Sequence, residues 1–357
     1  MLDLKFKLVF IFLSALFFSA VFTRLMIFLA PRWQIVDKPT LSRKIHQQAM
    51  PLLGGWAIYA SFLLVTIYLW LQGQLIDSKI SIDLVAFFLL AGFILMVNGF
   101  LDDKLALSSK QSIWGPILAV ALMLVAGLKI AYVTNWQGGV LYLTDLWPNF
   151  SYLTDYLMIA LTFFWLMGMT YTTKILDGLD GLTSSIGLIS SLIIFMVSLS
   201  WDVVGSTTSL LSLALAGAIA GFLIFNWHPA KIFLGESGST FIGFALGVLS
   251  IISGSKIATA LLVMGLPALD ILWVIIHRIK NKKPFWQGDS QHLHFRLLRL
   301  GWSQKKVVLF MSLISLFFGL VSIFFTTKAK LSALFILLFF MLIFSAWLNS
   351  RLEKQNV

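Results

Sequence analysis

The segment LVFIFLSALFFSAVFTRLMIFLAP, residues 8–31, contains a single charged side chain, Arg24. About 20 consecutive apolar residues are enough for a helix to cross the hydrocarbon core of a bilayer. Because a backbone in lipid must satisfy its own polar groups, each such segment is expected to be helical. Ten further segments show the same pattern: 52–72, 83–101, 115–133, 157–173, 182–200, 206–226, 240–254, 257–276, 307–326 and 331–349. The sequence therefore predicts an all-α, polytopic integral membrane helical bundle with about 11 transmembrane helices.

The composition of the whole chain favours the same fold class. Of the 357 residues, 59% are hydrophobic and 11% are charged, whereas soluble domains carry about 25% charged residues. We predict one transmembrane domain over residues 1–357, opened by a membrane anchor rather than a cleaved signal peptide. The absence of cysteine excludes disulfides, thiolate metal sites and cysteine nucleophiles. We interpret the net charge of +11 as basic loop residues that contact anionic membrane lipids. We do not expect the protein to bind nucleic acid.

The basic residues are distributed unequally between two sets of loops. Of the 26 Lys and Arg residues, 18 lie in one set and six in the other. The richer set comprises 32–51, 102–114, 174–181, 227–239, 277–306 and 350–357. Loops rich in Lys and Arg stay in the cytosol. The N-terminus is therefore predicted outside (periplasmic) and the C-terminus in the cytosol, with the chain in the inner (plasma) membrane.

Many of the Asp, Glu and His side chains that could act in catalysis or bind a metal lie in the predicted cytosolic loops. They are Asp37, Asp102, Asp103, Asp177, Asp180, Glu236, Asp289, His46, His228, His292 and His294. Asp270 lies inside the predicted ninth span. Solvated loop charges would be scattered over both faces, so the clustering predicts a site built from cytosolic catalytic loops.

Two of the motifs in these loops carry closely spaced carboxylates. In VNGFLDDKLALSSK (97–110), Asp102 and Asp103 are adjacent and would repel each other without a cation. Hard oxygen ligands suit Mg²⁺, although a solvated pair at a helix end explains the motif equally well. Lys110 is interpreted as a phosphate contact or as a residue that orients the loop. In KILDGLDGLTSS (174–185), Asp177 and Asp180 are three residues apart, beside glycines and a predicted helix start that could receive an anion.

Three further motifs are glycine-rich or basic. FNWHPAKIFLGESGST (225–240) is a turn that leads into a helix, with Glu236 between two glycines. A basic motif, HRIKNKKPFWQGDSQHLHFRLLRLG (277–301), contains an H-x-H pair. No further Glu or His is nearby to complete a tetrahedral zinc site, so the pair favours phosphate binding. The last motif, VDKPTLSRKIHQQAMPLLGG (36–55), contains basic side chains that could bind a phosphorylated lipid or could only set the membrane topology.

Taken in order, these five motifs resemble the polyprenyl-phosphate N-acetylhexosamine-1-phosphate transferase family over essentially the whole chain. The resemblance implies that a sugar-1-phosphate, expected to be GlcNAc-1-phosphate from UDP-GlcNAc, is transferred to undecaprenyl phosphate with release of UMP. It implies Mg²⁺, or alternatively Mn²⁺, as cofactor, and it is compatible with a homodimer.

The resemblance also implies roles for individual residues. The implied metal ligands are Asp103, Asp180 and Glu236, and the implied catalytic residues are Asp102, Asp103, Asp180, His292, His294 and Arg296. The implied substrate-binding residues are Arg43, Lys44, His46, Lys110, Lys174, Asp177, Asn226 and Phe233.

This chain departs from the family pattern at a few positions. Glu236 replaces an Asp, Phe295 replaces a His, and Lys174 replaces an Asn; Lys174 could contact a phosphate or nucleotide, or pair with a carboxylate. Within the family, UDP-MurNAc-pentapeptide is the competing substrate. Outside the family, the sequence leaves open a lipid or solute transporter that uses Asp270 along its path, and a non-catalytic scaffold.

Overall fold

We describe the protein from a computed structural model. The structure describes residues 2–39, 48–75, 80–135, 137, 139–146, 150–201, 205–253, 257–280, 282, 291–325 and 327–355. The helices are α1 (Leu2–Arg32), α2 (Gly54–Leu71), α3 (Ile82–Leu105), α4 (Ser109–Ser112), α5 (Trp114–Val125), α6 (Ser151–Leu176), α7 (Leu182–Trp201), α8 (Thr207–Asn226), α9 (Gly235–Ile252), α10 (Ile257–Val263), α11 (Gly265–Lys280), α12 (Leu293–Arg299), α13 (Gln304–Phe324) and α14 (Thr327–Gln355).

Two small antiparallel ribbons complete the secondary structure of the described residues. Strand β1 (Val36–Asp37) pairs with β2 (Met50–Pro51), and β3 (Tyr132–Thr134) pairs with β4 (Val140–Tyr142). A single turn of 3-10 helix, Leu143–Asp145, follows β4.

Nine helices in the described part of the chain are long and apolar enough to cross a membrane: α1, α2, α3, α6, α7, α8, α9, α13 and α14. They correspond to nine of the predicted spans, and the prediction of an all-α polytopic membrane bundle is confirmed. The sidedness of the termini stays a prediction.

The remaining two predicted spans differ from a single straight spanning helix: one is shorter, and the other is a bent pair of helices that together are long and apolar enough to cross a membrane. The span predicted over 115–133 is a shorter apolar helical stretch, Ser109–Val125. It ends where Gly127 takes a positive φ of 85°, a conformation that glycine adopts without a Cβ clash and that commonly stops a helix.

The span predicted over 257–276 is two helices, α10 and α11, bent by 76°. Pro267 lies in the first turn of α11. Proline lacks an amide hydrogen and its ring clashes with the carbonyl four residues earlier, so one straight helix through this point is disfavoured.

The centre of the bundle is formed by α8 and α9, which are the most deeply buried of the spanning helices. Small residues let their neighbours approach closely. Gly217 and Gly221 of α8 lie against the backbone of α1 at Phe12 and Leu16, and a Cβ on either glycine would collide with it. Gly243 of α9 lies in the same way against the backbone of α6. Close contact between helix backbones therefore fixes the positions of the helix ends that carry the polar motifs.

Candidate active site

Glycines bring α2, α3 and the N-terminus of α9 into backbone contact. A Cβ on Gly55 would collide with the backbone of Gly238, and a Cβ on Gly99 would collide with the backbone of Ser237. Gly235 begins α9 with a φ of 70°, in the left-handed region that glycine tolerates best. The glycines of three separate motifs therefore define one junction, and the acidic residues lie at its edge.

Asp103 caps the N-terminus of α9. Both of its carboxylate oxygens accept a hydrogen bond from the backbone N–H of Glu236, at 3.2 and 3.1 Å. The first N–H groups of a helix have no partner within the helix and carry partial positive charge. A carboxylate from a neighbouring helix satisfies this end of α9, so the two motifs 133 residues apart are joined directly.

Lys174, at the end of α6, connects Asp102 of α3 to Glu236 of α9. Its Nζ lies 3.0 Å from Glu236 Oε2, 3.8 Å from Asp102 Oδ2 and 3.2 Å from Ser112 Oγ. The Ser112 hydroxyl in turn donates to Asp102 Oδ2 at 2.5 Å. Lys174 therefore pairs with carboxylates, which is one of the roles that the sequence leaves open for it.

Asp177 lies in a turn between α6 and α7. Burial, together with the negative charges of Glu236 and Asp180, raises the pKa of Asp177 to about 7, while the Thr183 side chain opposes this shift. A carboxyl group that is half protonated near neutral pH is typical of functional sites. Both Asp177 and Asp180 lie in the turn 177–181, directly before the first residue of α7.

Asp180 is held by the segment that follows α8. Its Oδ2 lies 2.7 Å from His228 Nδ1 and accepts a hydrogen bond from the N–H of Ala230 at 3.2 Å. The turn 177–181 is thereby attached to the loop between α8 and α9.

Asn226 and Phe233 organise the backbone in this region. Asn226 Oδ1 accepts from the N–H of Gly181 at 3.1 Å and from Ser184 Oγ at 2.8 Å, and Asn226 Nδ2 donates to the carbonyl of Ile232 at 2.9 Å. The carbonyl of Phe233 accepts from the N–H of Gly54 at 3.1 Å. The contacts of Asn226 hold two loops together, while its implied role in substrate binding stays a prediction.

The short helix α12 is anchored by Asp270 of α11. The buried carboxylate of Asp270 lies 3.0 Å from His292 Nδ1, accepts from the N–H of Leu293 at 2.9 Å and lies 3.4 Å from Arg296 Nη2. Arg296 also donates to Ser345 Oγ and to Asn349 Oδ1, each at 3.3 Å. Burial lowers the pKa of the Arg296 guanidinium, and the charge of Asp270 opposes that change.

His294 lies beneath the turn 177–181. Only 1% of the residue is exposed, and a Cβ on Gly178 would lie 2.5 Å from His294 Nε2. Neither ring nitrogen has a hydrogen-bond partner within the described residues. Burial lowers the pKa of His294 to about 4, so the imidazole is neutral at physiological pH. A buried imidazole with two unsatisfied nitrogens costs free energy unless a ligand or water satisfies it.

Four of the five motifs therefore meet at one end of the bundle through the side chains just described. Lys110 is exposed on α4 and makes none of these contacts. Arg43, Lys44, His46 and Asp289 lie outside the described residues. The chemical role assigned to each residue stays a prediction.

The residues that face this junction suit a divalent cation in their donor chemistry. Asp102, Asp103, Asp177 and Glu236 influence one another electrostatically and offer hard oxygen donors. Within the described residues, no group of three or more His, Asp or Glu could hold a metal ion by itself. Mg²⁺ usually takes one or two carboxylates and completes its shell with water and substrate phosphates. The donor set therefore fits Mg²⁺ shared with a phosphorylated substrate.

Sequence reasoning missed three residues of this site. It gives Asp270 a role only in a transport path, and it gives Ser112 and His228 no partner. A charged residue inside a membrane span is itself a signal of a functional site. The pairing of Ser112 with Asp102 and of His228 with Asp180 has no comparable signal, because it depends on how the helices pack.

The fold and the site define a class: a multi-pass membrane protein whose polar motifs meet at one end of the bundle. There Asp102, Asp103 and Glu236 form an acidic junction, with Lys174 and the buried, neutral His294 beside it. A sequence profile of the family described as glycosyl transferase family 4 matches residues 85–254.

Three relatives extend the match to most of the chain. The probable undecaprenyl-phosphate N-acetylglucosaminyl 1-phosphate transferase of Bacillus subtilis (strain 168) is 32% identical over 349 residues, 94% of this chain and 91% of the relative. The decaprenyl-phosphate N-acetylglucosaminephosphotransferase of Mycobacterium leprae (strain TN) is 30% identical, over 84% of this chain and 79% of the relative. The phospho-N-acetylmuramoyl-pentapeptide-transferase of Carboxydothermus hydrogenoformans is 31% identical, over 77% and 84%. The chain belongs to glycosyl transferase family 4 and is a phosphosugar transferase.

Proposed function

We propose that this protein transfers GlcNAc-1-phosphate from UDP-GlcNAc to undecaprenyl phosphate at the cytosolic face of the inner (plasma) membrane. The products are undecaprenyl-diphospho-GlcNAc and UMP. The observation that carries the proposal is the convergence of Asp102, Asp103, Lys174 and Glu236 from three motifs at one end of a membrane bundle. The relatives named for polyprenyl-phosphate GlcNAc transfer support the substrates. They match 94% and 84% of this chain, against 77% for the pentapeptide transferase, which favours GlcNAc over a pentapeptide substrate.

The reaction is a displacement at phosphorus. An oxygen of the lipid phosphate attacks the β-phosphorus of UDP-GlcNAc, and the bond from that phosphorus to the oxygen shared with the α-phosphate breaks. UMP leaves with the electron pair of that bond. Phosphoryl transfer depends mainly on positioning and on charge neutralisation. Mg²⁺, when bound, would supply that neutralisation, held by one or two of the proposed ligands Asp103, Asp180 and Glu236 together with the substrate phosphates.

Side chains of the protein orient the lipid phosphate and contact the phosphates of the nucleotide sugar. Asp102, held by Ser112 and Lys174, orients the lipid phosphate or accepts its proton. The neutral imidazole of His294 donates one N–H to a phosphate oxygen, which satisfies a nitrogen that has no partner among the described residues. His292, fixed by Asp270, contacts the same phosphates.

The test is UMP release by the full-length protein in detergent with undecaprenyl phosphate and Mg²⁺. We expect release with UDP-GlcNAc and none with UDP-MurNAc-pentapeptide; the reverse pattern would overturn the proposed sugar, and no release with either would overturn the proposed reaction. Inverted membrane vesicles should release UMP from added UDP-GlcNAc, and right-side-out vesicles should not.

Asp103→Asn should abolish release while the protein still folds, because the Asn side-chain carbonyl can still accept the N–H of Glu236. Asp155→Asn is the matched control. Asp155 pairs with Lys129 at 3.0 Å in an exposed ion pair remote in sequence from every motif, and exposed pairs contribute little to stability. Full activity of Asp103→Asn would contradict its assignment as a metal ligand.

A further inference from the structure

The ion pair between Lys174 and Glu236 joins two of the three positions at which this chain departs from the family pattern described above. Lys174 stands in place of an Asn, and Glu236 in place of an Asp. The 3.0 Å contact between Lys174 Nζ and Glu236 Oε2 involves both replacements, since an Asn carries no charge and an Asp is one methylene shorter. The two replacements therefore form one structural unit, although 62 residues separate them in the sequence.

The ammonium group of Lys174 occupies the centre of the acidic junction. It contacts Glu236, Ser112 and Asp102, and it lies 5.7 Å from the centroid of the Tyr171 ring, within range of a cation–π interaction. The Lys174 and Glu236 side chains are only 22% and 31% exposed. A positive charge held this way neutralises carboxylates that would otherwise repel one another at close range.

Glu236 is also the carboxylate proposed above as a metal ligand, and its Oε2 faces Lys174. A metal ion bound through this oxygen would lie close to the ammonium group, and the two positive charges would repel each other. We infer that Lys174 is a resident counter-cation that competes with a divalent cation for Glu236, so that the substrate-free protein binds the metal weakly. This inference rests on the proposed function only in assigning a divalent cation to the junction.

The competition predicts that removing the ammonium group strengthens metal binding. Lys174→Met keeps the length of the side chain and removes its charge, which leaves Glu236 and Asp102 without their cation. We expect Mn²⁺ to bind this variant up to about fivefold more tightly than it binds the wild type, which corresponds to the upper end of the free energy of a partly exposed ion pair. Lys174→Arg keeps the charge and should remain close to the wild type.

The experiment is a titration of the full-length protein in detergent with Mn²⁺ in the absence of nucleotide, with free Mn²⁺ measured by electron paramagnetic resonance. Lys174→Met/Glu236→Gln should lose the gain, because the carboxylate for which the metal competes is absent. Lys231→Met removes the same charge from an exposed lysine of the loop between α8 and α9 and should leave Mn²⁺ affinity unchanged.

The inference is overturned if Lys174→Met binds Mn²⁺ no more tightly than the wild type, or if neither protein binds it. It is also overturned if Lys231→Met produces the same gain, since that would be a general effect of net charge. These outcomes are separable from a failure of the proposed function. Tightened Mn²⁺ binding without UMP release by the wild type would overturn the reaction and leave the competition standing.

Discussion

Replacing Asp270 with Asn tests whether this buried carboxylate positions His292 or only stabilises the bundle. The change keeps the size of the side chain and removes its charge. The Asn carbonyl can still accept from the N–H of Leu293, but the amide nitrogen cannot accept a hydrogen from His292 Nδ1. The charge that faces Arg296 Nη2 at 3.4 Å is also lost.

The expected loss of stability follows from the contacts of Arg296. Breaking a buried ion pair by removing one partner typically costs about 3–5 kcal/mol. Arg296 keeps its hydrogen bonds to Ser345 and Asn349, so we expect a loss of about 3 kcal/mol, at the lower end of that range. Thermal unfolding followed by tryptophan fluorescence in detergent measures this loss.

The expected loss of activity has a different cause. The Asp270 carboxylate can only accept a hydrogen from His292 Nδ1, whereas an Asn amide can donate to Nδ1, so the tautomer and ring orientation that Asp270 fixes are lost. We expect UMP release to fall by at least about a hundredfold at a temperature where the variant is folded, as when the wrong tautomer is imposed on a catalytic histidine elsewhere. Nitrogen-15 shifts of labelled histidine, assigned with His292→Gln, report the tautomer directly.

A double variant separates the two effects. In Asp270→Asn/Arg296→Gln no guanidinium is left buried without a counter-charge, so stability should recover relative to Asp270→Asn alone. Activity should not recover, because His292 still lacks its acceptor. Wild-type turnover by folded Asp270→Asn protein, or recovery of activity together with stability, would refute the positioning role.

Two further predictions concern the glycine junction and the turn 177–181. Gly55→Ala should destabilise the protein by about 1–3 kcal/mol, because its Cβ meets the backbone of Gly238, which cannot yield as a side chain can. Gly168→Ala is the matched control: no atom lies within 4 Å of its Cβ, so thermal unfolding should show a gain of up to about 1 kcal/mol from helix propensity. Because the pKa of Asp177 is raised from 3.8 to about 7, the folded protein holds a proton that the unfolded chain lacks between these values. Stability should therefore decrease as pH rises from about 4 to 7 through this group, and Asp177→Asn should remove that part of the slope in unfolding measured across the range, whereas an unchanged slope would contradict the assignment.

The positions of the spanning helices were predictable because a bilayer imposes a minimum apolar length on each of them. The two spans that differ contain local signals that an apolar run does not reveal. Gly127 ends α5 early through its positive φ, and Pro267 lies just beyond the 76° bend. A count of apolar residues passes over both, since glycine and proline interrupt a helix without making the segment polar.

The convergence of the acidic motifs was predictable for a related reason: alternate loops of a membrane bundle must emerge on the same side. The pairing within the site was not, because it depends on which helices touch. Lys174 reaches Glu236 because the backbones of α6 and α9 pack together at Gly243, and Asp103 caps α9 because Gly99 lets α3 approach Ser237. A glycine in a helix signals close approach, but not the partner.

Asp270 shows how a correct observation can support the wrong function. A carboxylate inside a predicted span favours a transport path when nothing nearby neutralises it. In the folded protein its described contacts all go to α12: the side chain of His292, the N–H of Leu293 and the guanidinium of Arg296. These contacts place the next residue of the motif, His294, beneath Gly178. A charge used to dock a helix is not available to a moving ion or solute, so the buried carboxylate that suggested a transporter instead supports the phosphosugar transferase.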